Sequence, residues 1–149
     1  MENTRYLEPD WFTRNVFNRA VRRLARMGIS IAGSRELRVR GRSSGEWRST
    51  PVNPLTIEGR RYLVAPRGTT QWVRNLRAAG SGELHRGLRT EKFRATEVAD
   101  EMKIPVLREY IRKWRWELGQ FFEGVGADAS DADLARIAPG FPVFRIDPA

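Results

Sequence analysis

At 149 residues and 40% hydrophobic content, the chain has material for one domain with a substantial core, expected to span 1–149. Cys 0 removes disulfides, thiolate metal ligands and cysteine nucleophiles, and the lone His85 argues against a histidine-based triad or metal site. The formal charge of +9 is carried almost wholly by arginine, since Lys92, Lys103 and Lys113 are the only lysines; this suits a phosphate or carboxylate partner, although a GC-rich genome produces the same bias.

Residues 10–27 place Phe17, Ala20, Val21, Leu24 and Met27 on one helical face and Arg19, Arg22, Arg23 and Arg26 on the other. This predicts an amphipathic helix between an Asp10 N-cap and a Gly28 stop. Its basic face is read first as solvated, with lipid headgroups, nucleic acid or an acidic ligand as functional alternatives. No segment of about eighteen apolar residues is present to span a bilayer. The N-terminus lacks the basic-then-apolar order of a secretory signal. The expected place is therefore the cytosol, with peripheral membrane contact through the first helix as a further expectation.

Beyond Ser34 the period changes to two, with Leu37 and Val39 on one side and Arg38 and Arg40 on the other, which predicts a strand. Residues 41–51 then read Gly-Arg-Ser-Ser-Gly-Glu-Trp-Arg-Ser-Thr-Pro. Glycines let the main chain approach a ligand, Ser43, Ser44, Ser49 and Thr50 supply hydroxyls, and Arg42 and Arg48 supply charged forks. The segment is an anion cradle or an ordinary hairpin loop, and residue types alone leave both open. A second strand is expected over residues 48–57, at an edge or bulged because of Pro51 and Pro54. Glu58-Gly59 turns the chain into Tyr62-Leu63-Val64-Ala65, closed by Pro66-Arg67-Gly68.

Thr69 or Thr70 is expected to cap a short helix carrying Trp72, Val73, Leu76 and Ala79 and ending at Gly80. Residues 83–86 and 90–98 form a second hairpin around Gly87, with Phe93 and Ala95 facing inward. A longer helix over residues 104–119 carries Val106, Leu107, Tyr110, Ile111, Trp114 and Leu118. Trp114, Trp116, Phe121 and Phe122 form an aromatic patch, read as core ahead of a pocket lining. Ser130 caps a last helix, and residues 141–146 make a closing strand. Helix, strands, short helix, strands, helices and strand in that order suit an α+β fold, a small antiparallel barrel with helices packed around it. Residues 36–98 would form the barrel, 1–33 the leading helix and linker, and 100–149 the closing helices and strand.

The combined pattern, Gly41-Arg42-Ser43-Ser44-Gly45, Arg48-Ser49-Thr50-Pro51-Val52, Tyr62-Leu63-Val64-Ala65 and Trp72-Val73-Arg74-Asn75-Leu76, resembles the deazaflavin-dependent nitroreductase family over the middle third of the chain. The resemblance implies a split β-barrel that binds coenzyme F420, a deazaflavin with a phosphate and an oligoglutamate tail. It also implies reduction of a small electron-poor hydride acceptor such as a quinone, nitro compound or activated enone. Carried over by position, Arg42, Ser43 and Ser44 contact the phosphate, and Arg48, Ser49, Thr50, Pro51, Val52 and Asn53 run along the ring and its linker. Ala65, Pro66, Arg67 and Gly68 line the other side. Trp72, Val73, Arg74, Asn75 and Leu76 lie on a helix whose N-terminus adds positive potential.

The chain departs from that family where Ser43 replaces a common lysine, which implies either weaker phosphate binding or compensation by Arg40, Arg67 or Arg74. Asn53 stands where nitroreducing members have a ring-facing tyrosine, and the loop of residues 67–70 is shorter. Tyr110 is a candidate proton donor beside solvent, and His85 is left outside the site. Two alternatives follow from the residues. The barrel could hold FMN, or the basic chain could bind nucleic acid with Trp47 and Trp72 as stacking platforms.

Overall fold

The computed structural model describes residues 34–118, 126 and 128–149. The predicted first helix and the aromatic residues Trp116, Phe121 and Phe122 lie outside the residues whose side chains are described. Strand β1 (Arg35–Arg40) buries Leu37 and Val39 and turns Arg38 and Arg40 outward, as period two requires. It pairs antiparallel with β2 (Trp47–Val52), Leu37 opposite Thr50 and Val39 opposite Arg48. The expected single strand over residues 48–57 is corrected by the structure. The chain breaks at Asn53-Pro54 and resumes as β3 (Leu55–Ile57), because Pro54 cannot donate to a ladder and the two halves pair with different neighbours.

That break has a large consequence. β2 and β3 are the opposite edges of a seven-stranded sheet ordered β2-β1-β5-β6-β7-β4-β3. Laid flat, such a sheet would hold its edges roughly 29 Å apart at about 4.8 Å per strand. Three Cα steps from Val52 to Leu55 reach only about 11 Å. The sheet must therefore curl until its edges meet at residues 52–55, which makes it a split barrel.

β3 and β4 (Arg60–Val64) form the expected hairpin, with Glu58 at φ 50° and Gly59 at φ 80° in the left-handed turn that matches strand twist. Helix α1 (Gln71–Ala79) follows and stops at Gly80, whose φ of 71° ends it and whose N–H donates to the Leu76 carbonyl. β5 (Ser81–Arg86) and β6 (Arg89–Glu97) form the second hairpin, with Gly87 at φ 58°. Helices α2 (Ile104–Leu118) and α3 (Asp131–Ile137) come next, and the Ser130 hydroxyl accepts from the Asp133 N–H as an N-cap. β7 (Val143–Pro148) closes the chain between β4 and β6, completing the antiparallel sheet.

Alternation in the strands feeds two cores. Leu63, Phe144 and Ile146 turn into the barrel with Leu37, Val39, Leu84 and Phe93, where Val73 and Leu76 of α1 plug one opening. Val64 and Val143, one residue out of step, turn outward and meet Val106, Leu107, Tyr110, Ile111 and Trp114 of α2 and Leu134 and Ile137 of α3. Lys103 is buried beside this outer core, its Nζ donating to the Ala138 carbonyl at 2.9 Å and pairing with Asp100 at 2.7 Å. Among the described residues no helix is long and apolar enough to cross a membrane.

Candidate functional site

At the seam where the sheet edges meet α1, a cavity of about 880 Å³ opens between the loop after β1, strand β2, the segment after β4 and the start of α1. Its floor is apolar, with Leu37, Val39, Val52 and Ala65, and its polar wall carries Arg42, Arg48, Arg67 and Arg74. Among the described residues no carboxylate lines it. A concave site whose described lining carries four guanidinium groups and no carboxylate prefers an anion attached to an apolar body.

The cradle loop is built by its own backbone and by α1. Gly45, at φ 72°, donates its N–H to the Gly41 carbonyl at 2.9 Å, while Gly41 donates to the Glu46 carbonyl at 2.8 Å, so the tip is a closed turn. A Cβ on Gly41 would lie 2.8 Å from Ser44 Oγ, so any larger residue there would have to push the Ser44 side chain aside. The Arg42 backbone N–H donates to Asn75 Oδ1 at 3.1 Å, and its Nη1 donates to the same oxygen at 2.8 Å and to Gln71 Oε1 at 2.9 Å. Asn75 is buried, so a fixed acceptor on the helix holds an otherwise exposed arginine at the cavity mouth. Arg40 is used elsewhere. It stacks 4.2 Å from the Trp47 ring centroid and donates to the Gly45 carbonyl, while Arg67 and Arg74 line the cavity.

The structure brings together Arg42, Ser43, Ser44, Arg48, Ser49, Thr50, Pro51, Val52, Ala65, Pro66, Arg67, Trp72, Arg74 and Asn75 in one wall. Asn53, Gly68, Val73 and Leu76 are buried beside it without lining it. The difference in α1 is helical geometry. Gln71, Arg74 and Asn75 share one face at i, i+3 and i+4, and Val73 and Leu76 fall on the barrel-facing side. Gln71 was missed by sequence reasoning although that spacing points to it. Trp72 reaches the wall while tilted against Phe144, with ring centroids 6.0 Å apart.

Tyr110 is placed differently from the expectation. It is fully buried in the outer core, its ring 4.7 Å from that of Trp114, on the side of the sheet away from the cavity floor. Burial pushes its phenol well above the usual tyrosine range. His85 also stays out of this wall, its Nε2 2.8 Å from Glu83 Oε1 and its Nδ1 3.2 Å from Thr90 Oγ1.

A family model described as F420H(2)-dependent quinone reductase matches residues 11–117. The chain belongs to this family. It is thus an oxidoreductase that uses reduced F420 as hydride source, and F420 is its coenzyme. No curated protein matches the sequence. Among solved structures, the chain is similar to an F420-H2 dependent reductase (FDR-A) at 16% identity and TM-score 0.55, covering 77% of this chain and 94% of that one. A FAD-binding protein from Mesorhizobium loti aligns at 10% identity and TM-score 0.51, covering 90% and 91%. The heme storage protein HutZ from Vibrio cholerae aligns at 11% identity and TM-score 0.50, covering 78% and 82%. At these identities the three likenesses speak to the split-barrel fold. The residues described suit F420: an apolar floor for a tricyclic ring, and a wall of four arginines for the phosphate and the acidic tail.

Proposed function

We propose that this reductase acts on a quinone, or on a small electron-poor molecule of like shape, in the 880 Å³ cavity. The observation that carries the reading is the arginine wall, without a carboxylate among the described residues, one member of which, Arg42, is pinned by Asn75. Bound F420H2 supplies a hydride, two electrons and a proton, to the acceptor and is itself oxidised, and a solvent proton completes the quinol.

The chain's own work is positioning. Arg42, Ser43 and Ser44 hold the phosphate, with Arg48 and Arg74 adding charge where the tail leaves. Residues 48–53 and 65–68 flank the ring, and Trp72 limits water on the helix side. Tyr110 is too deeply buried in the other core to deliver the proton, which supports solvent as its source. Nitro compounds and activated enones would be accepted to the extent that they fit beside the same ring.

Fluorescence titration with F420 tests the reading. Saturable binding at micromolar coenzyme is expected, with affinity lost by about a hundredfold or more when Arg42→Ala and Arg48→Ala are combined, at roughly 1.5–3 kcal/mol per charge-assisted contact. No saturable binding by the unaltered protein, or unaltered affinity in the double variant, would overturn it.

A further inference from the structure

The strand ends away from α1 carry charge of their own. Register sets Glu36 of β1 opposite His85 of β5, so one step outward Arg35 stands opposite Arg86, and Arg86 pairs in turn with Arg89 of β6. Three arginines thus lie in one row across three adjacent strands. Arg61 of β4 joins them, its Nη1 2.5 Å from Glu91 Oε2. Burial first, and then the charges of Arg86 and Arg61, hold the Arg35 guanidinium below the ordinary arginine range. Like charges directly opposite on neighbouring strands cost stability. Among the described ion pairs none takes up Arg35, Arg86 or Arg89, so the fold itself leaves much of this repulsion standing.

Between Arg86 and Arg89 the chain turns through Gly87 and Leu88 alone, with Gly87 at φ 58°. Such two-residue tips ordinarily carry glycine and small polar residues. Leu88 is 105% exposed and belongs to neither core. Beside the tip, Arg35, Arg86 and Gly87 line a second cleft of about 450 Å³. Glu36 also lines it, but its carboxylate already accepts from Arg38 Nε at 2.8 Å. A lone exposed leucine is ordinary on a protein surface. One held out at a hairpin tip between two arginines, in line with a third, matches a layered partner: anionic phosphate outside and hydrocarbon beneath. Nucleic acid would satisfy the arginines and leave the leucine in water.

We infer that this barrel end docks on an anionic membrane surface, with Arg35, Arg86 and Arg89 meeting lipid phosphates and Leu88 entering the apolar layer below them. The surface is distinct from the coenzyme cavity. Residues of β2 border both clefts, but Arg35 begins β1 whereas the cradle loop follows its other end. It is distinct, too, from residues 10–27, whose basic helical face is a separate candidate for lipid contact.

The test sediments the whole protein with vesicles of phosphatidylcholine in which about one lipid in three is phosphatidylglycerol. Binding is expected to these vesicles and not to phosphatidylcholine alone, and it should weaken as salt rises. Combining Arg86→Gln with Arg89→Gln should weaken it about twentyfold, near fivefold for each charge removed, while the melting temperature holds or rises because like-charge neighbours are gone. Leu88→Ser should weaken it about threefold or more and Leu88→Trp should tighten it, both with the melting temperature unchanged. Should the double variant melt lower, the two Leu88 variants decide alone. The inference is overturned if the unaltered protein ignores the anionic vesicles. It is equally overturned if the arginine and leucine variants all bind within about twofold of the unaltered protein, which would give the lipid contact to another part of the chain. It is overturned as well if both Leu88 variants are indifferent while the arginine pair counts, because the row would then hold a phosphate from any source; displacement by inorganic phosphate or by duplex DNA would say which. No coenzyme enters the measurement, so its outcome is independent of the reductase reading.

Discussion

Asn75 Oδ1 accepts two hydrogen bonds from Arg42, from the backbone N at 3.1 Å and from Nη1 at 2.8 Å, so one buried helix side chain fixes both the main chain and the charge of the cradle loop. Two substitutions separate those jobs. Asn75→Ala removes the acceptor and should cost about 1–3 kcal/mol of stability together with F420 affinity. Asn75→Asp keeps an oxygen in place, and so keeps the loop. It adds a negative charge to a wall that has none among the described residues, and should weaken F420 by about tenfold or more with little change in melting temperature. Thermal melts beside fluorescence titration read the split; equal affinity loss and stability loss in both variants would contradict it.

Four arginines facing one cavity also make affinity depend on salt. Between about 0.05 and 0.5 M ionic strength the Debye length falls from roughly 14 Å to about 4 Å, so the outer parts of that field are screened. F420 affinity should weaken several-fold over this range, and less so in Arg74→Gln, whose charge lies on an exposed position of α1. A titration series at fixed pH measures both slopes, and identical slopes would mean that Arg74 does not face the bound anion.

Much of this arrangement was legible in the sequence because its signals are local. Alternation at Leu37 and Val39 marked β1, Glu58-Gly59 and Gly87 marked turns that need positive φ, and Ser130 marked a cap that the structure shows closed on Asp133. The family was legible in the order of four short motifs, which the matched family model covers. What was not legible depends on pairing at a distance. Residues 48–57 look like one strand until β2 and β3 find partners at opposite edges of the sheet. Tyr110 carries the same residue type whichever core receives it, and only the packing of α2 against the outer face decides that it lies away from the cavity.

The cradle's tightness can be measured through Gly41. An alanine Cβ there would stand 2.8 Å from Ser44 Oγ, 3.4 Å from the Glu46 carbonyl and 3.6 Å from Arg48 Nε. The nearest obstacle is a side-chain oxygen that accepts from the Glu46 N–H at 3.1 Å, so Gly41→Ala should push Ser44 aside and break that bond. The loop is exposed, so stability should fall by no more than about 1 kcal/mol. F420 affinity should fall several-fold because Ser44 is displaced from the cradle. Adding Ser44→Ala should cost much less in the Gly41→Ala background than in the unaltered protein. A double-mutant cycle on F420 affinity gives that coupling, and strictly additive effects would show that the loop absorbs the methyl group without moving Ser44.

The placement of Tyr110 leads to a prediction about both rate and pH. Tyr110 is buried in the outer core with Leu107, Trp114 and Phe141, so Tyr110→Phe should leave kcat/KM with F420H2 and quinone within about twofold, as expected of a group outside the site. Burial raises the phenol above the ordinary value of 10.0, which favours the neutral form in the folded protein. The unfolded chain therefore loses this proton first as pH rises. The stability tied to the neutral phenol is fully present below pH 10.0 and declines above it, as the unfolded state binds fewer protons than the folded one. Tyr110→Phe has no proton to lose and should show a shallower fall in denaturant midpoint between about pH 9.5 and 11. A tenfold loss of turnover in this variant would return Tyr110 to the chemistry; parallel pH profiles for the two proteins would show that its phenol is not held neutral by the core.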